Sequence, residues 1–450
     1  YEYLSNVYDR WKNTAEVYVL NQQELYISLD VGTSTTKVVV AEILGDDLNI
    51  IGACYVKSKG IRKGSVIDID ETIQTINQAM KQMELIVDLK IANVLLCVSS
   101  IGVELSPCFG VVAVANQDKE IMTEDVSRVL DAASVVSLSQ DKEFLTVIPN
   151  RFTVDGVDEI KDPRGMIGIR LEMNGTMVTV KKTSFYNIIR CVERAGLEIL
   201  EPFLQTLGAS ALSLSKEECE LGAVLIDFGG GTTTVSYYLD GCLQDTVVML
   251  FGSDLITKDL STVLETSFEE AERIKEKYGR AYLPAADPNQ VVDVKILGTQ
   301  EQHQFTQYEI TDIIEARMEE IFRFIYQTLD HMGIGQAPHS IVISGGGAMM
   351  HGIYELAQEI FDTRVRVYVP DFIGVRNAMY TNALGTILFA HQYGKLTGQK
   401  FHMGIKNMTV QEDAPLIHHM SKKRQEQEPK EVKTKGEKAA LKKIFKYFWD

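Results

Sequence analysis

Short apolar runs alternate with amphipathic stretches along most of this chain, which predicts an α/β fold of mixed sheets with helices packed against them. Residues 24–58 read as an apolar strand, a polar turn and two further strands. The spacing over 69–87 is helical, with acidic residues at its start, and 92–98 reads as a buried strand. The texture then changes. Strands are expected at 110–114 and 144–148, and a helix at 123–136 with Thr123 as its N-cap. A turn-rich return follows at 163–168, then a helix at 186–196 that ends at glycine. Helices are also expected at 267–279 and 309–332, the latter with Ile313, Ile314, Met318, Ile321, Ile325 and Leu329 as its core stripe. The stretch 281–308 reads as loop-rich. Residues 207–212 and 382–390 are rich in small side chains, which suits close helix packing at a hinge.

Two of the strand–turn–strand units share one grammar. The first carries Asp30 at a strand end, then Gly32, then the hydroxyls Thr33, Ser34, Thr35 and Thr36 before the next strand. The second carries Asp227, then Gly229, Gly230 and Gly231, then Thr232, Thr233 and Thr234. Glycines let backbone N–H groups approach an anion, and successive N–H groups in a turn form a phosphate-sized nest. Asp227 is placed to hold a metal ion through its waters or to orient an attacking water. Two such units in separate halves indicate a duplicated module with a ligand between the copies. Neither is a P-loop or a dinucleotide fingerprint, because a strand follows where a helix should.

A third glycine turn, Gly345, Gly346 and Gly347, follows an apolar strand and precedes a helix expected to begin near 351. Such a turn lets a planar base or a phosphate lie on backbone, and a helix N-terminus adds partial positive charge. Met349 and Met350 beside it are soft enough to pack on a base, although a core role is the commoner fate of methionine. On the 267–279 helix, Glu272 and Lys275 share a face. Both a solvated ion pair and hydrogen bonding to ribose hydroxyls fit that pattern.

Charge changes the picture at the C-terminal end. The chain has 450 residues and a net charge of −17. Residues 421–450 carry ten Lys/Arg and five Asp/Glu, so the remainder is strongly acidic and a poor nucleic-acid surface. Residues 400–436 read as a flexible polar linker. Beyond them Leu441, Ile444, Phe445, Phe448 and Trp449 form one helical face, and Lys442, Lys443 and Lys446 flank it. This is the pattern of an interfacial membrane helix, too short to span. Each lysine near an anionic leaflet adds about 1 kcal/mol. Six scattered cysteines without CxxC spacing fit a reducing cytoplasm, and the eight histidines show no HExxH. Residues 1–23 carry no motif and are expected to be an N-terminal extension.

The two phosphate-type turns, the strand–GGG–helix site and the two small-residue hinges resemble the actin-like ATPase superfamily. The insert in the first half, the Ala271–Lys275 motif, the glycine turn at 345–347 and the amphipathic end resemble, more closely, the bacterial FtsA cell-division family. The resemblance covers about 24–450. It implies two lobes each built on a duplicated mixed-sheet domain: 24–105 and 173–217 for the first, with an α+β insert at 106–172, and 218–252 and 326–399 for the second, with a nucleotide-side subdomain at 253–325. The final helix is 437–450. It implies ATP and Mg2+ as ligands. Asp30, Gly32, Thr33, Ser34 and Lys37 match the first phosphate motif; Asp227, Gly229, Gly230, Gly231 and Thr232 match the second. Glu272 and Lys275 match the ribose/adenine helix, Gly345, Gly346 and Gly347 the adenosine turn, and Asp30 with Asp227 an ion held through water. Lys37 also has a physical case, since a cation one strand-length from the turn can reach phosphate. The implied partners are FtsZ, contacted by the subdomain around 253–325, further copies of the chain in a filament, an anionic membrane and other division proteins, on the cytoplasmic face of the membrane at the septum. At most weak ATPase activity is expected. The alternatives are a related actin-like pilus-assembly protein or a metabolite kinase of the same fold. A kinase would require a general base, and no second catalytic carboxylate stands out. No peptide-binding domain follows, which disfavours a chaperone.

Overall fold

The computed structural model describes residues 25–402 except 46, 300–301 and 335–337. The extension 1–23, most of the linker and the amphipathic helix with Leu441, Lys442, Lys443, Ile444, Phe445, Lys446, Phe448 and Trp449 lie outside the described residues.

In chain order the first lobe opens with β1 (Leu25–Val31), β2 (Thr35–Leu44) and β3 (Asp47–Lys57), followed by a small hairpin, β4 (Ile61–Arg62) and β5 (Ser65–Val66). Helix α1 (Ile69–Val87) is capped by the Asp68 carboxylate, which accepts from the Glu71 N–H. After β6 (Asn93–Val98) come β7 (Glu104–Ala113), α2 (Thr123–Ala133), β8 (Lys142–Val154), β9 (Val157–Ile160) and β10 (Arg170–Lys181). The chain returns through α3 (Lys182–Arg194), β11 (Glu198–Leu204), α4 (Gln205–Ser213) and α5 (Lys216–Leu221). The second lobe holds β12 (Ala223–Phe228), β13 (Thr233–Leu239), β14 (Cys242–Met249), α6 (Asp254–Val263), α7 (Phe268–Tyr278), β15 (Val291–Lys295), β16 (Gln302–Thr306), α8 (Gln307–His331), β17 (Ser340–Ser344), α9 (Ile353–Phe361), β18 (Val365–Val367) and α10 (Thr381–Thr397).

The duplication is visible in the sheets. The first is ordered β11-β6-β1-β2-β3 and the second β18-β17-β12-β13-β14. In each, the strand bearing the aspartate runs parallel to one neighbour and antiparallel to the strand that follows its turn. Strands buried on both faces read as continuous apolar runs. On β2, Val38 and Val40 join the core beneath α1, while Val39 and Ala41 pack with Leu384 and Ile387 of α10. The inserted sheet, β7-β10-β8-β9, has its own core against α2, including Phe152, Leu171, Val126 and Val129.

Helices α4 and α10 cross at their glycines. A Cβ on Gly385 would enter the carbonyl oxygen of Gly208, and one on Gly208 would lie 2.6 Å from the Thr386 nitrogen. Only two glycines permit that approach, so the small-residue pattern marks one contact between the two expected hinges.

Several local expectations are corrected. Thr123 is not an N-cap. Met122 holds that position, and the Asp125 carboxylate accepts from its N–H at 3.0 Å. Helix α3 begins four residues earlier than expected. The stretch 281–308 is not loop-rich: β15 and β16 pair antiparallel from Val291 opposite Thr306 to Lys295 opposite Gln302. On α8 it is Ile310 that is fully buried, whereas Ile313 is only partly so. The glycine turn at 345–347 leads into a single 3-10 turn, Gly346–Met349, and α9 begins at Ile353 behind a left-handed Gly352. No helix of the described residues is long and apolar enough to cross a membrane.

Candidate functional site

The two duplicated turns close with the same hydrogen bond. The Gly32 N–H donates to the Thr35 carbonyl at 3.1 Å, and the Gly229 N–H to the Thr232 carbonyl at 3.0 Å. They face each other across the cleft, because a Cβ on Gly231 would lie 2.9 Å from the Thr33 hydroxyl oxygen. Gly345 closes the third side with φ +89°, and any side chain there would run into the Asp227 carboxylate. Between the turns lies a cavity of about 510 Å3, within the usual range for a small-molecule site. Asp30, Gly32, Thr33, Ser34, Lys37, Asp227, Gly229, Gly230, Gly231, Thr232, Glu272, Lys275, Gly345, Gly346 and Gly347 all line it. Met349 and Met350 line it too.

Each aspartate is oriented by an amide from a hinge helix. Gln205, the first residue of α4, donates Nε2 to Asp30 Oδ1 at 2.8 Å. Asn382, the second residue of α10, donates Nδ2 to Asp227 Oδ2 at 2.9 Å. The second oxygen of Asp30 takes the Lys37 ammonium at 2.9 Å, both side chains being buried. Lys37 therefore rests on Asp30, at the base of the first turn, directly across the β1–β2 register. Asp227 has no such cation in its own register, where Thr234 stands opposite. Burial pushes its carboxyl up and the Asn382 amide pulls it down, while the nearby Asp30 charge pushes it up again and the Lys37 ammonium pulls it down, for a net rise.

On α7 the Glu272–Lys275 pair is not a solvated surface bridge. Lys275 is 6% exposed and lies 2.7 Å from Glu272. Its ammonium also donates to Thr257 Oγ1 at 2.7 Å and the Ser253 carbonyl at 3.3 Å, while Thr257 donates to Glu272. Asp254, the first residue of α6, reaches the opposite lobe, accepting from the Ser34 hydroxyl with both oxygens at 3.1 Å.

Gln205, Asn382, Asp254 and Thr257 were not singled out from sequence, since each is an ordinary polar residue near a helix start. A signal existed for two of them: a carboxamide opens each of the paired small-residue helices, matching the duplicated aspartates.

Five carboxylates and two lysines line the cavity: Asp30, Asp227, Asp254, Glu272 and Glu276 against Lys37 and Lys275. An anionic ligand would meet an acidic wall relieved only by backbone N–H groups, hydroxyls and two ammonium groups, so the donor set fits an anion that brings a divalent cation with it. Among the described residues no three His, Cys, Asp or Glu side chains converge to hold a metal directly. An ion here would bind mainly through ligand oxygens and water, the usual habit of magnesium.

A family model described as Cell division protein FtsA matches residues 224–385, and one described as SHS2 domain inserted in FTSA matches residues 102–179. The Cell division protein FtsA of Bacillus subtilis is 42% identical over 440 residues, covering 96% of this chain and 100% of that protein. That of Enterococcus faecalis is 40% identical, covering 82% and 84%. Among solved structures, a PilM-PilN type IV pilus biogenesis complex aligns with TM-score 0.56 at 16% identity, covering 81% of this chain and 97% of that one. MreB5 of Spiroplasma citri bound to ADP aligns with TM-score 0.51 at 13% identity, covering 83% and 98%. These likenesses show the fold, an actin-like ATPase fold with an SHS2 domain inserted in the first lobe.

Proposed function

The chain belongs to the FtsA family of bacterial cell-division proteins, and on that premise we propose that it binds ATP with Mg2+, polymerises, and tethers the FtsZ ring to the cytoplasmic face of the cell membrane at the septum. The observation that carries the nucleotide reading is the pair of matched turns facing one cavity. Thr33, Ser34 and the 229–232 turn would hold phosphate oxygens through N–H groups and hydroxyls. Glu272 and Lys275 would meet the ribose, and Gly345–Gly347 the adenosine face. Asp227, with Asp30 beside it, would hold the ion through water. Magnesium, when bound, neutralises phosphate charge and polarises the terminal phosphoryl group.

Gln205 and Asn382 hold the two carboxylates in place, and both sit on the helices that cross at Gly208 and Gly385. Lobe movement about that crossing would reach the site directly, so nucleotide would select a closed, polymer-competent state. Hydrolysis should be slow. Asp30 is bonded through both oxygens, to Lys37 and Gln205, and Asp254 through both to Ser34, so of these three only Asp227, bonded to Asn382 through Oδ2, is left to orient a water. The membrane role rests on the 437–450 pattern, and the FtsZ role on family membership, with the 253–325 subdomain as its contact.

Calorimetric titration with Mg–ATP tests the core of this reading. Heat with saturable binding is expected, and no uptake overturns it. Sedimentation with anionic vesicles, comparing the full chain with one ending near 430, tests the anchor: equal binding removes it. A direct pull-down with FtsZ tests the partner.

A further inference from the structure

Asp254 is held by the second turn and reaches the first. Its N–H donates to the Gly230 carbonyl at 2.9 Å, and the preceding Ser253 N–H donates to the Gly229 carbonyl at 3.0 Å. Those bonds fix the start of α6 to the second lobe's turn. The side chain then crosses the cleft to Ser34, in the first lobe's turn, with both carboxylate oxygens 3.1 Å from its hydroxyl. A Cβ on Gly230 would lie 2.8 Å from Asp254 Oδ1. The carboxylate thus sits at the rims of both turns, where the outermost phosphate of a bound nucleotide would enter.

An anionic side chain at the mouth of an anion site opposes the ligand it faces. Burial pushes the Asp254 carboxyl up, Lys275 pulls it down, and Glu272 pushes it up. Lys275 does not cancel the charge outright, since its ammonium is shared among Glu272, Thr257 and the Ser253 carbonyl. Among the described residues Ser34 is the one hydrogen-bond donor to the carboxylate, and the terminal phosphate would compete for that same hydroxyl.

We propose that Asp254 sets the preference between nucleoside di- and triphosphate: its carboxylate latches the two turns through Ser34, and a terminal phosphate must break that latch and approach its charge. A diphosphate leaves the latch intact. A triphosphate, entering with its divalent ion, releases Ser34 from Asp254 and itself takes the place of that bridge between the turns. The cost of that exchange is carried by the terminal phosphate alone, so the residue acts on the ratio of the two affinities rather than on nucleotide binding in general.

The proposal rests on the nucleotide reading above, and the test separates the two. Full-length protein is titrated with Mg–ADP and with a Mg-bound non-hydrolysable ATP analogue, as wild type, Asp254→Asn and Asp254→Ser. Asparagine keeps the shape and can still accept from Ser34 while removing the charge; serine removes both charge and reach and guards against a folding defect in the first variant. The expected result is a triphosphate-to-diphosphate affinity ratio at least fivefold higher in both variants, with ADP affinity within twofold of wild type. An unchanged or lower ratio in a folded variant overturns the inference while leaving the nucleotide reading intact. A wild type that binds neither nucleotide overturns both.

Discussion

Replacing Glu201 by glutamine tests whether a carboxylate at the joint between the first lobe, its insert and α10 destabilises the fold when it ionises. Glu201 follows the β11 bulge that offsets its pairing with β6, and no cation is paired with it among the described ion pairs. Burial pushes its carboxyl up to about 7 from an ordinary 4.5. Its charge acts on Tyr393 of α10, whose phenol is pushed up by burial, pulled down by the Thr146 hydroxyl, and pushed up again by Glu201 and by Asp131 of α2. The Tyr393 hydroxyl in turn donates to the Val147 carbonyl of the insert at 3.3 Å. Between pH 4.5 and 7 the folded protein keeps a proton that the unfolded chain has released, so stability falls as pH rises through this window. Ionising this partly buried carboxyl costs up to about 3 kcal/mol at pH 8, against less than about 1 kcal/mol at pH 5. With an unfolding entropy of about 2.1 cal/mol/K per residue, the Tm advantage of Glu201→Gln should grow by roughly 3 °C between pH 5 and pH 8. Thermal melts of both proteins at the two pH values measure it. A Tm offset that is the same at both values would refute the reasoning, because lost packing or hydrogen bonding does not follow the titration.

The remaining predictions concern the cleft and the anchor. Gly385→Ala places a methyl against the Gly208 carbonyl, and since backbone cannot rotate away, α4 and α10 must part at about 1–3 kcal/mol; an unchanged melting temperature counts against the hinge contact. Asp227→Asn should raise the Mg2+ concentration needed for ATP binding roughly tenfold, about 1.4 kcal/mol. A magnesium titration that overlays the wild type would remove Asp227 from the ion's surroundings. Trp449→Glu should weaken sedimentation with anionic vesicles at least roughly tenfold, as an inserted aromatic worth about 1.5–3 kcal/mol gives way to a charge. Retained binding would contradict the anchor.

What was legible in the sequence is what is local. Asp30 and Asp227 end apolar runs and are followed at once by glycine and hydroxyls, so the strand, the turn and the chemistry lie within a dozen residues. The Gly208 and Gly385 helices were legible as small-residue stretches, though not as each other's partners. Gln205, Asn382 and Asp254 meet their partners 175, 155 and 220 residues away; only the place of the two carboxamides at the head of a small-residue helix marks them, and nothing near Asp254 does. The β15–β16 hairpin escaped because its second strand is Gln-His-Gln-Phe-Thr, polar at most positions, so only Val292 and Val294 signal a buried face. A connection of that length without structure is itself uncommon in a compact domain. Glu272 and Lys275 show how tertiary context decides a helix pair: their spacing allows a surface bridge, and Thr257 and the Ser253 carbonyl draw the lysine inside.

Duplication explains the shape of the cleft, and its breakdown explains the cleft's polarity. Both halves supply an aspartate, a glycine-closed turn and an amide from a hinge helix. Only the first pairs its aspartate with a lysine across the strand register, since Lys37 lies directly opposite Asp30 on β2, while Thr234 occupies the matching place opposite Asp227. Asp30 is therefore neutralised from within the protein, and Asp227 is left with a neutral amide and a carboxyl that burial pushes up. A buried carboxylate without a directly bonded cation is costly to keep charged. On the nucleotide reading proposed above, a divalent ion arriving with phosphate would find its least compensated carboxylate at Asp227, with Asp30 beside it. A deficit weighted to one lobe would make binding of such a ligand draw that lobe toward the other, the asymmetry that the proposed nucleotide-driven closure requires.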